Sequence, residues 1–419
     1  MSERVTIGVP VYKGEAFVAD ALRSIQAQTH ADWEAIVSFD VPDAGCEAAC
    51  RPFFSDPRLR LVVQPERLGW VGQLNWLMSQ VSGDFWYFHQ QDDLTEPTYL
   101  EVLVDHARCH PEAALVYCDV VPFGRIEGQF EQVPSVTGAT PFTRQMTLLR
   151  EHFNAYAFRG LTRAEAVRRA GPVPTNDRDS FGVDIAWIAG VALAGELHHV
   201  PAELYRKRYH DANTESGWWN WDRADRLAAW PMHCTDMLNQ ALRVPTTVPE
   251  ARLLWLAAVE RLTSHVAASF LPVADLTDAE REGLLVEFLE HVRDSRLHEV
   301  TRLLDADWTT IETLSRSIFD EARAAIIEIQ AYGPTSVPTA TPFNVQPDGR
   351  SALWVKTSRS AFPEVVISLA GRRLETHRAG SLFTAFVPDD LTAKPGPLEL
   401  VLIGRDGMPR SAAVTVQVE

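Results

Sequence analysis

VTIGVPVYKGEAFVADALRSIQAQTHADWEAIVSFD, residues 5–40, decides the fold. Val5–Tyr12 is a short, β-branched apolar run of the kind that makes a buried strand. From Ala16 to Gln28 the apolar residues Phe17, Ala21, Leu22 and Ile25 recur at helical spacing. Trp33–Asp40 is a second strand-like run, and it ends on a carboxylate.

The alternation continues outward. Arg58–Pro65 reads as a third strand, and Val71–Val81 as a helix with Leu74, Leu77 and Met78 on one face. The aromatic run FWYF, Phe85–Phe88, reads as a fourth strand and leads into HQQDDLTEP. Strands alternating with helices define an α/β domain with a mainly parallel sheet. Ligands of such sheets sit at the carboxyl ends of the strands. Asp40, Asp92 and Asp93 all lie at such ends. Two adjacent carboxylates ending a buried strand are costly unless something binds them, and a divalent metal or a substrate is the usual reason.

The remainder divides by composition. Residues 141–210 are mixed: a short helix in TRAEAVRRAGPV stopped by Gly171-Pro172, an apolar helix in DIAWIAGVALAG, then an extended VPAELYRKRYH. From about Asn220 to Tyr332 the pattern is helical. Thr277 and Glu280 have capping-box spacing, with an apolar stripe of Leu285, Phe288, Leu289 and Val292 behind them. Ile311, Leu314, Ile318 and Ala322 are expected to repeat that stripe. Tyr332–Gly349 has the Pro, Thr and Gly content of a linker. Short strands follow in ALWVKT, EVVISL, LFTAFV, LELVLIG and AAVTVQV, with a hairpin signal at Asp406-Gly407, as in a small β-sandwich. The expected domains are 1–220 (α/β), 221–333 (helical), 334–349 (linker) and 350–419 (β-sandwich).

The chain has 419 residues, which is about two to four domains' worth. Its net charge is −17, and no basic tract stands out. Nucleic acid needs clustered Lys and Arg, so it is not expected as a partner, and neither is a polybasic membrane anchor. The five cysteines fit no zinc spacing and are expected to be reduced thiols. The N-terminus lacks a signal pattern, and the longest apolar stretch falls well short of the ~20 residues that span a bilayer. A cytoplasmic protein without a transmembrane segment is the expectation.

At this point the ordered set of segments resembles family-2 glycosyltransferases of the GT-A fold, over about the first 215 residues. Residues 5–40 look like that family's first strand, helix and second strand, with Ser24, Gln28, Thr29 and Glu34 where its members carry such residues. RLGWVGQLNWL is similar to its Gly-containing loop and helix, here with Gly69, Gly72 and Asn75. QQDD occupies the place of its metal-binding acidic motif, with Gln90 where the family often has its first acid. RGLTRAEAVRRAGPV, Asp184 and VPAELYRKRYH resemble its acceptor side. Val183-Asp184 stands where the family usually has an acidic pair.

The resemblance implies a Rossmann-like nucleotide-sugar-binding domain and an inverting transfer from a nucleoside-diphosphate sugar to a glycan or other hydroxyl acceptor. It implies Asp184 as general base, with Asp177 and Asp179 as nearby alternatives. It implies Asp92 as ligand of Mn²⁺ or Mg²⁺, with His210 reaching the metal or the diphosphate, and Asp93 positioning sugar hydroxyls or a metal-bound water. Asp40, with Asp43 able to share the role, would accept a hydrogen bond from the base or ribose. Pro10, Val11, Tyr12, Arg67, Asn75 and Gln91 complete the donor site. Arg206 and Arg208 would pair with phosphate or with acidic neighbours. The tryptophans of SGWWNW, residues 216–221, would stack on sugar or pack within the protein. The helical part would flank the acceptor cleft or mediate homo-oligomerisation. The alternative is a non-catalytic sugar-nucleotide or glycan-binding protein that keeps the fold. A nucleotidyltransferase would need a Gly-rich basic loop after the first strand, where VYKGEAF has one Gly and one Lys.

Overall fold

The computed structural model describes residues 3–419 apart from 127, 129–132, 212, 245, 269, 272–275, 325–326, 348, 359–364, 380 and 405–408. The chain forms two compact units, Met1–Asp222 with Thr235–Leu254, and Arg223–Cys234 with Trp255–Glu419. The expected hairpin at Asp406-Gly407 lies outside the described residues.

The first unit runs β1 (Val5–Val11), α1 (Val18–Gln26), β2 (Trp33–Phe39), α2 (Ala44–Cys50), β3 (Leu59–Val63), α3 (Gly69–Ser79), β4 (Phe85–Phe88) and β5 (Leu94–Thr95). It continues α4 (Tyr99–Cys109), β6 (Ala113–Gly124), α5 (Pro141–Glu151), β7 (Leu161–Arg163), α6 (Ala164–Ala170), α7 (Val183–Val191) and β8 (Glu196–Tyr209). The eight strands form one sheet in the order β3-β2-β1-β4-β7-β6-β8-β5. β3, β2, β1 and β4 pair in parallel, and so do β6 and β8. β7 runs antiparallel between the two blocks, and β5 pairs antiparallel with β8. Side chains on both faces of the central strands are buried, which is why β1 and β2 read as continuous apolar runs rather than as alternating ones.

The polar residues that carry the family resemblance hold this sheet together. Gln28 accepts from the Leu100 N–H at 2.9 Å and donates to the Glu96 carbonyl at 2.8 Å, tying the end of α1 to the loop after β5. Thr29 donates its N–H to the Pro97 carbonyl at 2.8 Å. Glu34 accepts from Arg4 at 3.0 Å and from Thr6 at 3.2 Å.

The second unit begins with helices. In Asp278–Leu304 the capping box is formed: Thr277 and Glu280 each accept the other's backbone N–H. Leu285, Phe288, Leu289 and Val292 are buried. In Trp308–Ala324 the expected stripe is corrected. Leu314 is 40% exposed, and the buried face is Ile311, Ser315 and Phe319. Ser315 belongs there because it accepts the indole N–H of buried Trp255 at 2.9 Å, a satisfied polar contact that an apolar count overlooks.

The expected linker is also corrected. Ile329–Gly333 is a strand pairing with Ser351–Thr357, and Ser336–Val337 pairs with Val414–Val418. Val337 is buried, and Pro334 precedes an edge strand, where a missing N–H is tolerated. The strands form a five-stranded and a four-stranded sheet around one core that includes Leu353, Val355, Ile367, Phe383, Leu400 and Val416.

Candidate active site

Four chain segments converge at the carboxyl ends of β1, β2, β4 and β8. The first is the turn after β4. Asp93 is 1% exposed and accepts the Tyr205 hydroxyl at 2.7 Å and the Arg208 N–H at 2.8 Å. The Arg159 guanidinium stands 3.7 Å away. Burial first, and then the charge of Asp92 beside it, push Asp93 up to about 6 against the pull of Arg159 and these hydrogen bonds. Gln90, with its amide N–H turned toward Asp93, donates to it at 2.7 Å and accepts from Arg159 at 3.2 Å. A carboxylate at position 90 would place a further negative charge against a buried acid, so the glutamine that departs from the family pattern completes a network here.

Asp92 faces the other way. Its Oδ2 lies 2.8 Å from His210 Nε2 and 3.1 Å from Asn213 Nδ2. His210 follows directly on β8, and its ring lies against Phe17 with centroids 4.4 Å apart. The expected metal ligands Asp92 and His210 therefore meet, although 118 residues separate them. Buried His89 is held at about 4 by desolvation, so it is a neutral support, within 3.2 Å of Ser24 Oγ.

Asp40, 2% exposed, accepts the N–H groups of Leu68 at 2.7 Å and Gly69 at 3.2 Å, at the start of α3. Both carboxylate oxygens thus hold the loop that carries Arg67. Arg67 lies 3.7 Å from Asp40 and 4.5 Å from the centroid of the Tyr12 ring. Asp40, Arg67 and Tyr12 form one corner, beside the end of β1 at Pro10 and Val11. Asp43 caps α2 through the Cys46 N–H.

Two residues expected at the donor site have backbone partners in this structure. Gln91 accepts the Tyr12 N–H at 2.9 Å and donates to the Tyr12 carbonyl at 3.1 Å, so its amide and the Tyr12 backbone are committed to each other. Gly14 is required beside them, because a Cβ there would come within 2.2 Å of Gln91 Oε1. Asn75 makes the same paired contact with Val173, at 2.7 and 3.0 Å, and joins α3 to the chain after α6. Both amides satisfy backbone groups, a use that residue type and position alone do not distinguish from ligand binding.

Asp184 lies in the first turn of α7, half-buried. Its Oδ1 accepts the Ile185 N–H at 2.9 Å. Burial raises its pKa, opposed by that hydrogen bond and by the charges of Arg159 and Lys207. Asp177 and Asp179 are exposed. Arg206 pairs with Glu96 at 2.6 Å, and Arg208 donates to the Asp92 carbonyl at 2.9 Å and to Asp20 at 3.3 Å. The two arginines therefore follow the acidic-neighbour alternative rather than the phosphate one.

Next to these groups opens a cavity of about 710 Å³ lined by Arg159, Lys207, His210, Tyr156 and Trp219 among others. Trp219 is 47% exposed, whereas Trp218 and Trp221 pack on Phe181. Arg159 and Lys207 have no counterpart among the expected site residues. Both lie in segments that resemble the acceptor side, Arg159 at the start of RGLTRAEAVRRAGPV and Lys207 between Arg206 and Arg208, but only folding places them beside Asp93 and Asp184.

Residues 6–168 match the family model described as Glycosyl transferase family 2. This part of the chain is similar to family-2 glycosyltransferase domains, and its sheet has the GT-A fold. Among solved structures, S. aureus TarS covers 99% of this chain and 77% of its own, with a TM-score of 0.56 at 11% identity, a likeness of fold. The putative glycosyltransferase EpsE of Bacillus subtilis is 26% identical over 176 residues, 40% of this chain and 62% of that protein. The glycosyltransferase GlyA of Streptococcus pneumoniae is 26% identical over 130 residues, 31% of this chain and 18% of that protein. The chain thus spans less than two-thirds of the length of these curated relatives. Among the described residues no helix is long and apolar enough to cross a membrane.

Proposed function

We propose that this chain transfers a sugar from a nucleoside-diphosphate donor to an acceptor hydroxyl, with inversion at the anomeric carbon, in the synthesis of a polysaccharide or glycoconjugate. The observation that carries the reading is the meeting of Asp92 and His210 beside buried Asp93, with Asp184 sharing the electrostatic field of Arg159. The family match supports it. So do the structures of TarS 1–349 in complex with UDP and with UDP-GlcNAc, whose TM-scores to this chain are 0.52 and 0.53.

Asp40, Arg67 and Tyr12 would hold the nucleoside, the base lying near the Tyr12 ring. Asp92 and His210 fit a divalent cation: an oxygen and an imidazole nitrogen 2.8 Å apart form a donor pair suited to Mn²⁺ or Mg²⁺. Such a cation, bound with phosphate oxygens, supplies charge neutralisation for the departing diphosphate. Asp93 would orient the sugar and, through Arg159 and Tyr205, keep the turn in place. Asp184 would accept the proton of the acceptor hydroxyl while that oxygen forms its bond to the anomeric carbon and the bond to the diphosphate oxygen breaks. A raised pKa suits a base, since proton affinity and driving force grow together. The cavity beside Trp219 would receive the acceptor, with Lys207 and Arg159 at its inner wall.

The test is release of nucleoside diphosphate from a panel of UDP-, GDP- and dTDP-sugars, with and without oligosaccharide acceptors. Acceptor-dependent release that Asp184→Asn abolishes supports the reading. Donor binding without release from any sugar nucleotide would sink it and leave the non-catalytic binding protein.

A further inference from the structure

Far from the donor site, three histidines meet where the sheet strands begin. His106 lies on α4, and His110 follows one turn later as its C-terminal cap. His198 is the third residue of β8. The rings of His106 and His110 are stacked with centroids 4.3 Å apart, and that of His198 stands 5.3 and 5.1 Å from them. His106 Nε2 and His198 Nδ1 are 3.1 Å apart. One ligand atom from each of the three lies within 4.8 Å of the others. The site and the donor pocket lie at opposite ends of β8. His198 and Arg208 are ten residues apart on it, roughly 30 Å along an extended strand.

We propose that His106, His110 and His198 bind a zinc ion that fastens the end of α4 to the start of β8. The distances suit it. Two nitrogens on a tetrahedral zinc at about 2.0–2.1 Å stand about 3.3 Å apart, close to the spacing of the His106–His198 pair. Turning the His110 ring, 43% exposed, is enough to bring in the third.

A second and independent feature is the pair of carboxylates behind the rings. Glu196 accepts from His198 Nε2 at 2.9 Å, which leaves Nδ1 with its lone pair toward the cluster. Glu112 accepts from His110 Nδ1 at 3.0 Å, which leaves Nε2 free to turn in. Carboxylates on the outer nitrogen fix the tautomer and raise the basicity of histidines that hold a metal. They also balance the ion: two glutamates offset the double positive charge on three neutral imidazoles. Arg163, which donates to the carbonyls of Ala107 and His110, is the opposing charge nearby. The imidazole set selects zinc over the magnesium or manganese suited to Asp92.

The test uses the tag-free full chain, stripped with a chelator and titrated with Zn²⁺ by calorimetry, and with Co²⁺ by visible absorption. To remove the donor site from the reading, the titration is made in the Asp92→Asn/His210→Ala background. The expected result is one equivalent of zinc, intense tetrahedral-type cobalt bands, and a zinc-dependent rise in Tm. His106→Gln and His198→Gln should each lower the affinity at least 100-fold and abolish the rise, while melting without metal stays near that of the parent. His110→Gln, at the most exposed of the three rings, gives the same loss if either of the others misfolds. Absence of zinc uptake in the background protein overturns the proposal, and so does uptake unchanged by the histidine substitutions. Neither result touches the transferase reading, which rests on the opposite end of the sheet.

Discussion

Replacing Arg159 by Met should destabilise the protein in a manner set by pH. Arg159 is 8% exposed, and its Nε stands 3.7 Å from Asp93, itself 1% exposed. At an effective dielectric constant of about 20, that separation corresponds to roughly 4.5 kcal/mol of attraction. The full amount is not lost at every pH, because a stranded Asp93 can take up a proton instead. The sign follows from Asp93 being raised to about 6 in the folded protein, above its unfolded value. The neutral form is therefore favoured by folding, and stability from this group is present at low pH and declines as pH rises through about 6. Without Arg159 the folded pKa moves higher still, so the decline continues further. Below about pH 6 both proteins carry a neutral Asp93, and the variant loses only the packing of the side chain and its hydrogen bonds to Gln90 and the Ala155 carbonyl, a loss that does not depend on pH. Above that, the extra loss grows by about 1.4 kcal/mol per pH unit, to about 2.7 kcal/mol at pH 8, up to the Coulombic ceiling. Urea unfolding of wild type and R159M at pH 5, 7 and 8 measures it. In the D93N background the part that comes from Asp93 should vanish, leaving only the smaller contribution of Asp184, which also feels the charge of Arg159. A loss of equal size at pH 5 and pH 8 would refute the reasoning.

Three further outcomes are expected. Asp184→Asn keeps the oxygen that accepts the Ile185 N–H, so it should bind nucleotide like wild type while turnover falls by about 10²–10⁴; the raised pKa should also set the acid limb of wild-type kcat/KM above the ordinary carboxylate range. A steady-state pH series together with calorimetry checks both parts. Gln91→Glu would place a carboxylate oxygen against the Tyr12 carbonyl, and thermal unfolding should show about 1–3 kcal/mol of destabilisation at neutral pH. Thr277→Ala removes one half of the formed capping box and should cost about 0.5–2 kcal/mol by denaturant unfolding, without effect on nucleotide binding.

The fold of the first unit is written in its strands because they are short, apolar and bounded by turns, so β1, β2, β3 and β4 are legible residue by residue. The segment after Tyr332 is not legible, for the opposite reason. Pro and Thr are compatible with an edge strand as well as with a loop, and what decides is the burial of Val337, which no local pattern reports. In the site, acids at strand ends are visible because their position implies a cost. The meeting of Asp92 with His210 follows from the motif resemblance, not from spacing. Gln91 and Asn75 show the limit: an amide near a pocket serves ligand and backbone equally well until its partners are known. Arg159 and Lys207 lie in segments that resemble the acceptor side, but nothing local singles them out from the other cations there. Their role comes from tertiary placement, and a buried carboxylate in need of a cation is the only hint of such a residue.

The central claim is that the corner of Asp40, Arg67 and Tyr12 and the pair Asp92–His210 together hold a nucleoside diphosphate. Calorimetric titration with UDP, GDP and dTDP, each with and without Mn²⁺, tests it most directly. The account predicts that one nucleotide binds with clear preference, that Mn²⁺ tightens it, and that His210→Ala removes the effect of the metal while leaving weaker binding. Absence of binding by all three nucleotides, with metal present, would contradict it.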